Sequence, residues 1–329
     1  MVLCNRYTII NISTSMCIDI YIHLLLYLHS CTLTQFQRKQ IEKYCRKHNL
    51  DRTMYTLPEN ETERNLLNRH LIFDDKRKSL FCFVEKIGCT DMKRLMFVTV
   101  GVLPERTIHH EWVDLKYLEK GLKLASFVNK NLTDNSRLWR MQNYFKFMIV
   151  RNPLERLVSG YRNKVMPPLN DLSLKFPNYV KRNIIQKYRP LDLQYWLNAG
   201  GRYNITISFP EFVQYFIDTK KEDLNPHFKP MVHTCHPCRV QYDFYGNFKT
   251  YSQDAKLVIR KLRMSMENYP NRSLHPSGRE TRTYLEQYYR QLSKRQRTGL
   301  FLTLQSELEF YYSLYPEDRN SHSQLLGVQ

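Results

Sequence analysis

Phe145 to Val165, FKFMIVRNPLERLVSGYRNKV, reads as a strand, a sharp turn and a helix. Phe145, Phe147, Met148, Ile149 and Val150 form a short apolar run of the kind that makes a buried strand. Asn152 is a good N-cap, and Pro153 stands where the first turn of a helix tolerates a missing N–H. Leu154, Leu157, Val158, Tyr161 and Val165 recur at helical spacing and predict one apolar face. Arg151 lies just before the helix start, where backbone N–H groups and the dipole already favour an anion. Ser159 shares a helix face with Asn152 and Glu155. A guanidinium and a hydroxyl beside a helix start suit a phosphate pocket. The plainer reading is a buried strand and helix with incidental polar residues, a common unit.

A second stretch shifts the balance. Leu80 to Leu103, LFCFVEKIGCTDMKRLMFVTVGVL, again reads as strand, small-residue loop and helix, with Met92, Leu95, Met96, Thr99 and Leu103 as the buried stripe. Its loop, Lys86-Ile87-Gly88-Cys89-Thr90, offers an ammonium, a glycine that lets backbone approach a ligand, and a hydroxyl. The sequence is not a Walker A motif, which disfavours a nucleoside triphosphatase.

Together the two stretches resemble the cofactor-binding motifs of Golgi carbohydrate sulfotransferases, the family that includes the chondroitin and dermatan 4-O-sulfotransferases. EKIGCTDMKR, Glu85 to Arg94, is similar to that family's P-K-V-G-C-T-N-W-K-R loop for the 5′-phosphosulfate. RNPLERLVSGYR, Arg151 to Arg162, is similar to its 3′-phosphate motif R-D-P-F-E-R-L-V-S-A-Y-R. Further blocks, CHPCRVQYDFYGNFKT from Cys235 to Thr250 and YRQLSKRQ from Tyr289 to Gln296, resemble the family in the same order.

The resemblance implies a P-loop-like α/β sulfotransferase fold, with a central, mainly parallel sheet flanked by helices. It implies 3′-phosphoadenosine 5′-phosphosulfate (PAPS) as donor, a sugar hydroxyl as acceptor and no metal. The expected donor site comprises Lys86, Ile87, Gly88, Cys89, Thr90, Asp91, Arg151 and Ser159, with Lys86 neutralising charge on the leaving group. His227, in NPHFKP, stands where the family has a similar His-aromatic-x-Pro and is the expected base. His109, His110 and Glu111 are the other candidates. Three departures stand out: Glu85 replaces proline beside the lysine, Asp91-Met92 replaces Asn-Trp, and Asn152 replaces aspartate. The first two place negative charge near an anionic donor. They keep open an alternative function, a catalytically degenerate paralogue that binds glycosaminoglycan.

Over the whole chain of 329 residues, 50 Lys and Arg against 31 Asp and Glu leave a net charge of +19. That excess attracts polyanions. With no RNA-binding signature, zinc finger or dense basic helix, nucleic acid is the weaker choice, and a nucleotide donor and an acidic glycan acceptor both suit the charge; the resemblance implies that the glycan is chondroitin-like. Residues 7 to 29 are the membrane candidate, near the ~20 residues a span requires. Asp19, Asn11 and His23 oppose insertion there, and Arg38, Lys39, Lys43, Arg46 and Lys47 crowd the C-terminal flank against the positive-inside expectation. The expected organisation is a signal-anchor segment over residues 1–30, a stem over 31–77, the sulfotransferase domain over 78–315 and a disordered tail over 316–329, in a Golgi membrane protein with a lumenal catalytic domain.

Within that domain Pro167 to Pro190 reads as an irregular, basic, aromatic loop facing the acceptor. Ser208 and Ser293 read as helix caps, the latter with Gln296 three residues on, and Leu300, Leu304, Leu308 and Tyr311 line the last helix. Sequons occur at Asn11, Asn60, Asn131, Asn204 and Asn271; Asn11 lies too near the anchor to be modified, and the other four fit a lumenal domain. Of eight cysteines, Cys4, Cys17 and Cys31 fall in or near the anchor. Cys45, Cys82, Cys89, Cys235 and Cys238 remain, an odd set in which structural disulfides leave at least one thiol free. A thioredoxin-like or zinc role for Cys235-His-Pro-Cys238 lacks the strand-to-helix setting or the second ligand pair it needs.

Overall fold

The computed structural model describes residues 35–50, 54–104, 115–169, 178–201, 204–264, 285–319 and 325–327. Among them a sheet of four strands runs β1 (Leu71–Asp74), β2 (Ser79–Cys82), β3 (Phe145–Val150), β4 (Phe244–Asn247), in that spatial order. β1 and β2 form an antiparallel hairpin, whereas β2, β3 and β4 are parallel, with Phe81 opposite Phe147 and Val150 opposite Asn247. Parallel neighbours require long crossovers, and here helices supply them. Both faces of the sheet are thereby covered, which explains why the strands read as continuous apolar runs. The parallel strands also release their following loops at one common edge. Lys86, Arg151 and Phe248 all lie just past that edge.

Helix α1 covers residues 35–47, and α2 is Glu61–His70. Between β2 and β3 come α3 (Cys89–Thr99), α4 (Leu115–Ala125) and α5 (Asp134–Asn143). Between β3 and β4 come α6 (Pro153–Gly160), which runs on into a π-helical turn at Tyr161–Val165, then α7 (Asn178–Tyr188), α8 (Pro190–Asn198) and α9 (Phe209–Asp218). The short α10 (Met231–Cys235) and α11 (Pro237–Val240) lead into β4. After it come α12 (Tyr251–Lys261), α13 at residues 285–290, and the 21-residue α14 (Lys294–Leu314).

The helix starts follow the residues. Asn152 Oδ1 accepts from the N–H groups of Leu154 and Glu155 at 2.9 and 3.2 Å, and Pro153 fills the position that needs no donor. Ser208 with Glu211, and Ser293 with Gln296, form complete capping boxes. Leu154, Leu157, Val158, Tyr161 and Val165 are buried as the spacing predicts, as are Leu300, Leu304, Leu308 and Tyr311.

The folded body begins earlier than residue 78. β1 and α2 belong to it, and so does α1, so residues 35–50 and 54–74 are not a free stem. Gln37 is 1% exposed. Its side-chain amide donates to the Tyr245 carbonyl at 2.8 Å and accepts from the Tyr245 N–H at 3.2 Å, taking the place of a neighbouring strand at the β4 edge. Past residue 316 the chain also differs from a wholly disordered tail. Pro316–Asp318 forms a 3₁₀ turn whose Asp318 accepts from Lys249 Nζ at 2.6 Å and from the Tyr311 hydroxyl at 2.7 Å. The expected irregular loop of 167–190 is helical from Asn178 onward, with Val180, Ile184 and Ile185 buried.

The anchor candidate at residues 7–29 lies outside the described residues. Among those described, no helix is long and apolar enough to cross a membrane. Two disulfides join Cys45 to Cys238 and Cys82 to Cys235, and Cys89 is free. The two cysteines of Cys235-His-Pro-Cys238 therefore take separate partners, each a structural staple.

Candidate functional site

β2 ends at Cys82, and the chain passes through buried Phe83 and Val84 into the loop Glu85–Gly88. Lys86 takes φ 70° and Gly88 φ 72°. A left-handed lysine is strained, and such residues persist only where the surroundings hold them. The Lys86 carbonyl accepts from Arg151 Nη1 at 2.9 Å, which pins the loop at that point. Gly88 cannot carry a side chain, because a Cβ there would meet Tyr251 Cε2 at 2.8 Å. The Tyr251 hydroxyl donates to the Gly88 carbonyl at 3.1 Å.

Gly88 is also the N-cap of α3 and gives it no side-chain acceptor. The N–H groups of the first turn, at Cys89, Thr90 and Asp91, are therefore open to an outside anion. Ile87 is 2% exposed, so its side chain belongs to the core and only its backbone faces the loop. Burial pushes the Cys89 thiol up, which keeps it protonated.

Arg151 lies across from this loop at the end of β3 and is 2% exposed. The Phe248 ring covers its guanidinium, with the centroid 4.3 Å away. Nε stands 3.7 Å from Glu155 Oε2, beyond hydrogen-bond reach, and both Nε and Nη2 are buried with no hydrogen-bond acceptor. Burial pulls its pKa down to about 10. A buried cation with two unsatisfied donors is costly, and a bound anion would remove the cost. Ser159 is buried on the same helix, one turn beyond Glu155.

Lys86 itself makes no ion pair among the described residues. Burial, then the nearby charges of Lys164 and Arg151, draw its pKa down to about 8. Positive charge is thus concentrated at the mouth of the loop. The two carboxylates that departed from the family pattern are taken up elsewhere. Glu85 Oε1 faces His70 Nε2 at 3.4 Å, and Asp91 faces Arg94 Nη1 at 3.4 Å. Burial alone would raise the Glu85 carboxyl, yet His70 and then Lys93 outweigh it and hold the group well below the usual carboxylate range.

His227 joins the same cluster from the loop before α10. Its Nδ1 lies 2.9 Å from Asn225 Oδ1, an acceptor, so Nδ1 carries the proton and Nε2 is the unprotonated nitrogen of the neutral ring. Burial, then Lys164, Lys86 and Arg156, lower its pKa to about 4 against the opposing pull of Glu85. The ring is neutral at neutral pH.

Arg156, given no role by the sequence reading, ties these parts together. Its Nε donates to the Glu85 carbonyl at 3.1 Å, its Nη2 to the Lys229 carbonyl at 2.7 Å, and its Nη1 faces Glu307 Oε1 at 3.5 Å. Lys164, in the π-helical turn, was also passed over, as were Phe248 and Tyr251. Arg156 and Phe248 fall within the quoted motif blocks, whereas Lys164 and Tyr251 lie just past the ends of theirs, and a basic or aromatic residue at such a place does not say which way it points. His109, His110 and Glu111 lie outside the described residues. The structure brings together Lys86, Gly88, Cys89, Thr90, Arg151 and His227, leaves Ile87 facing the core, and directs Asp91 to Arg94.

The profile described as Sulfotransferase family matches residues 69–313. Carbohydrate sulfotransferase 14 of Homo sapiens is 32% identical over 231 residues, 69% of this chain and 55% of that protein. Carbohydrate sulfotransferase 11 of Rattus norvegicus is 29% identical over 292 residues, 87% of this chain and 78% of that protein. Carbohydrate sulfotransferase 9 of Homo sapiens is 32% identical over 248 residues, 74% of this chain and 51% of that protein. The chain thus spans little more than half the length of several relatives it matches. No solved structure matches it.

Proposed function

Because the chain belongs to the sulfotransferase family, we propose that it transfers a sulfuryl group from PAPS to a sugar hydroxyl of a glycan. The acceptor we infer is chondroitin-like, sulfated at the 4-O position, in a Golgi lumen reached through an N-terminal signal-anchor. The names of relatives 14, 11 and 9 support a carbohydrate acceptor, and the net charge of +19 suits an acidic one.

The observation that carries the reading is Arg151, a buried guanidinium with two donors and no acceptor. With Ser159 it would hold the 3′-phosphate that distinguishes this donor from ordinary adenine nucleotides. The open first turn of α3 would hold the 5′-phosphosulfate. When bound, the donor supplies an activated sulfuryl group whose departure leaves charge on the 5′-phosphate. Lys86 stands in the loop to neutralise that charge, and its proton is retained more firmly once an anion lies beside it. His227 presents Nε2 to take the proton of the attacking hydroxyl, with Asn225 holding the other nitrogen protonated. Glu85 and Asp91 being engaged by His70 and Arg94 favours an active enzyme over a degenerate binder.

The test is transfer of radiolabelled sulfate from PAPS to a panel of desulfated glycosaminoglycans. Incorporation into desulfated chondroitin at the 4-O position is expected. Glycan retained with no donor consumed would replace this reading with the binding one.

A further inference from the structure

Phe248 sits in the turn between β4 and α12, and that turn touches both halves of the site. Its ring lies over the Arg151 guanidinium at 4.3 Å, while Tyr251, three residues on, packs against Gly88 and donates to its carbonyl. The turn is held firmly from several sides. Asn247 Oδ1 accepts from the Lys249 N–H at 2.9 Å, and Asp254 Oδ2 accepts from the Asn247 N–H at 2.6 Å and the Thr250 hydroxyl at 2.7 Å. Lys249 Nζ is locked to Asp318 at 2.6 Å. Phe248 is therefore a fixed surface, not a mobile cover.

A guanidinium is planar, with donors along its edge and none on its face. With Nη1 committed to the Lys86 carbonyl and the face covered by Phe248, Arg151 cannot swing without losing both contacts. The edge left over is the one carrying Nε and Nη2, the donors with no acceptor. We propose that Phe248 is a specificity-determining positioning residue, which fixes the Arg151 plane so that this edge meets a phosphate on the ribose 3′ position. The inference rests on the donor reading above and deepens it: selectivity for a 3′-phosphorylated nucleotide depends on an aromatic face as well as on the arginine.

Calorimetric titration of the full chain with 3′-phosphoadenosine 5′-phosphate and with adenosine 5′-monophosphate tests it without reference to turnover. Phe248→Leu keeps an apolar side chain of similar reach and removes the π face. It is expected to lower the preference for the 3′-phosphorylated ligand about tenfold, the scale of a desolvated cation–π contact, with the monophosphate affinity unchanged. Phe248→Tyr restores the face and is expected to keep the wild-type preference. An unchanged preference in Phe248→Leu overturns the proposal, as does an equal loss for both ligands, which would make the ring a general packing element. Equal binding of the two ligands by the unaltered chain overturns the donor reading itself.

Discussion

Lys86 combines a left-handed backbone with an ammonium half-buried among other cations, and each is unfavourable unless something anionic arrives. Lys86→Ala is expected to cut turnover by about 10²–10³ while the fold survives, because a single preorganised donor to developing charge is worth that much. Since burial and the neighbouring cations set its pKa to about 8, the lysine loses its proton as pH rises through that value. In the free enzyme kcat/KM should therefore fall above pH about 8, and Lys86→Arg should move that limb upward. A profile flat across this range would remove Lys86 from the charge-bearing role. Arg151→Ala should weaken 3′-phosphoadenosine 5′-phosphate far more than adenosine monophosphate in equilibrium binding; equal losses would make the arginine structural. Lys86 and Arg151 were legible in the sequence because their motifs carry the chemistry within a few residues. The partners that neutralise Glu85 and Asp91 were only half legible. Arg94 is a helix neighbour at i+3 of Asp91, whereas His70 ends α2 and reaches Glu85 only through the hairpin that follows.

At the scale of elements, α6 is the hub, and Arg156 is the side chain through which it acts. One guanidinium holds the donor loop at Glu85, the His227 loop at Lys229, and α14 at Glu307. Glu307 is buried, and its Oε1 also accepts from the Met231 N–H at 2.7 Å. Arg156→Ala should therefore destabilise the fold by about 3–5 kcal/mol, the cost of leaving a buried charge without its partner. In Arg156→Met/Glu307→Gln the amide oxygen can still accept from Met231 and no bare charge remains, so most of the loss should be recovered. Denaturant midpoints of the two variants measure this, and equal losses in both would show that the carbonyl contacts matter more than the ion pair. The sequence disclosed α6, α9 and α14 because caps and apolar spacing agree there. Gln35 to Asn49 also reads as a short polar helix, which α1 is; what the sequence concealed is its docking, with Gln37, Ile41, Tyr44 and Cys45 as the buried positions in an otherwise polar stretch. The work of Gln37, completing a strand edge with a side-chain amide, has no periodic signature. The π-helical turn at Tyr161–Val165 was equally invisible, since the apolar spacing of Tyr161 and Val165 fits an α-helix as well.

Across the whole molecule, the segment from Cys235 to Cys238 is the point where distant parts of the chain are fastened. Cys82 ties it to the end of β2, just before the donor loop, across 153 residues; Cys45 ties it to α1 across 193. Such long closures restrict the unfolded chain strongly, and removing one from a natural domain typically costs about 2–5 kcal/mol. Loss of the Cys82 pair should do more than lower stability, because it releases the strand that carries Glu85 and Lys86. Cys82→Ala/Cys235→Ala is expected to weaken nucleotide binding and lower the unfolding midpoint, whereas Cys45→Ala/Cys238→Ala should lower the midpoint with binding preserved. Both pairs also bear on compartment, since disulfides form and persist in oxidising surroundings and are rare in reducing ones. Chain made in a secretory host should therefore show both pairs oxidised and Cys89 as a free thiol, with a glycosidase-sensitive mass shift from exposed Asn131 or Asn204. Peptide mapping with thiol alkylation reads all of this in one experiment. A secreted product with Cys45, Cys82, Cys235 and Cys238 all alkylated before unfolding, and no glycan, would overturn the lumenal assignment while leaving the donor site to be judged by binding alone.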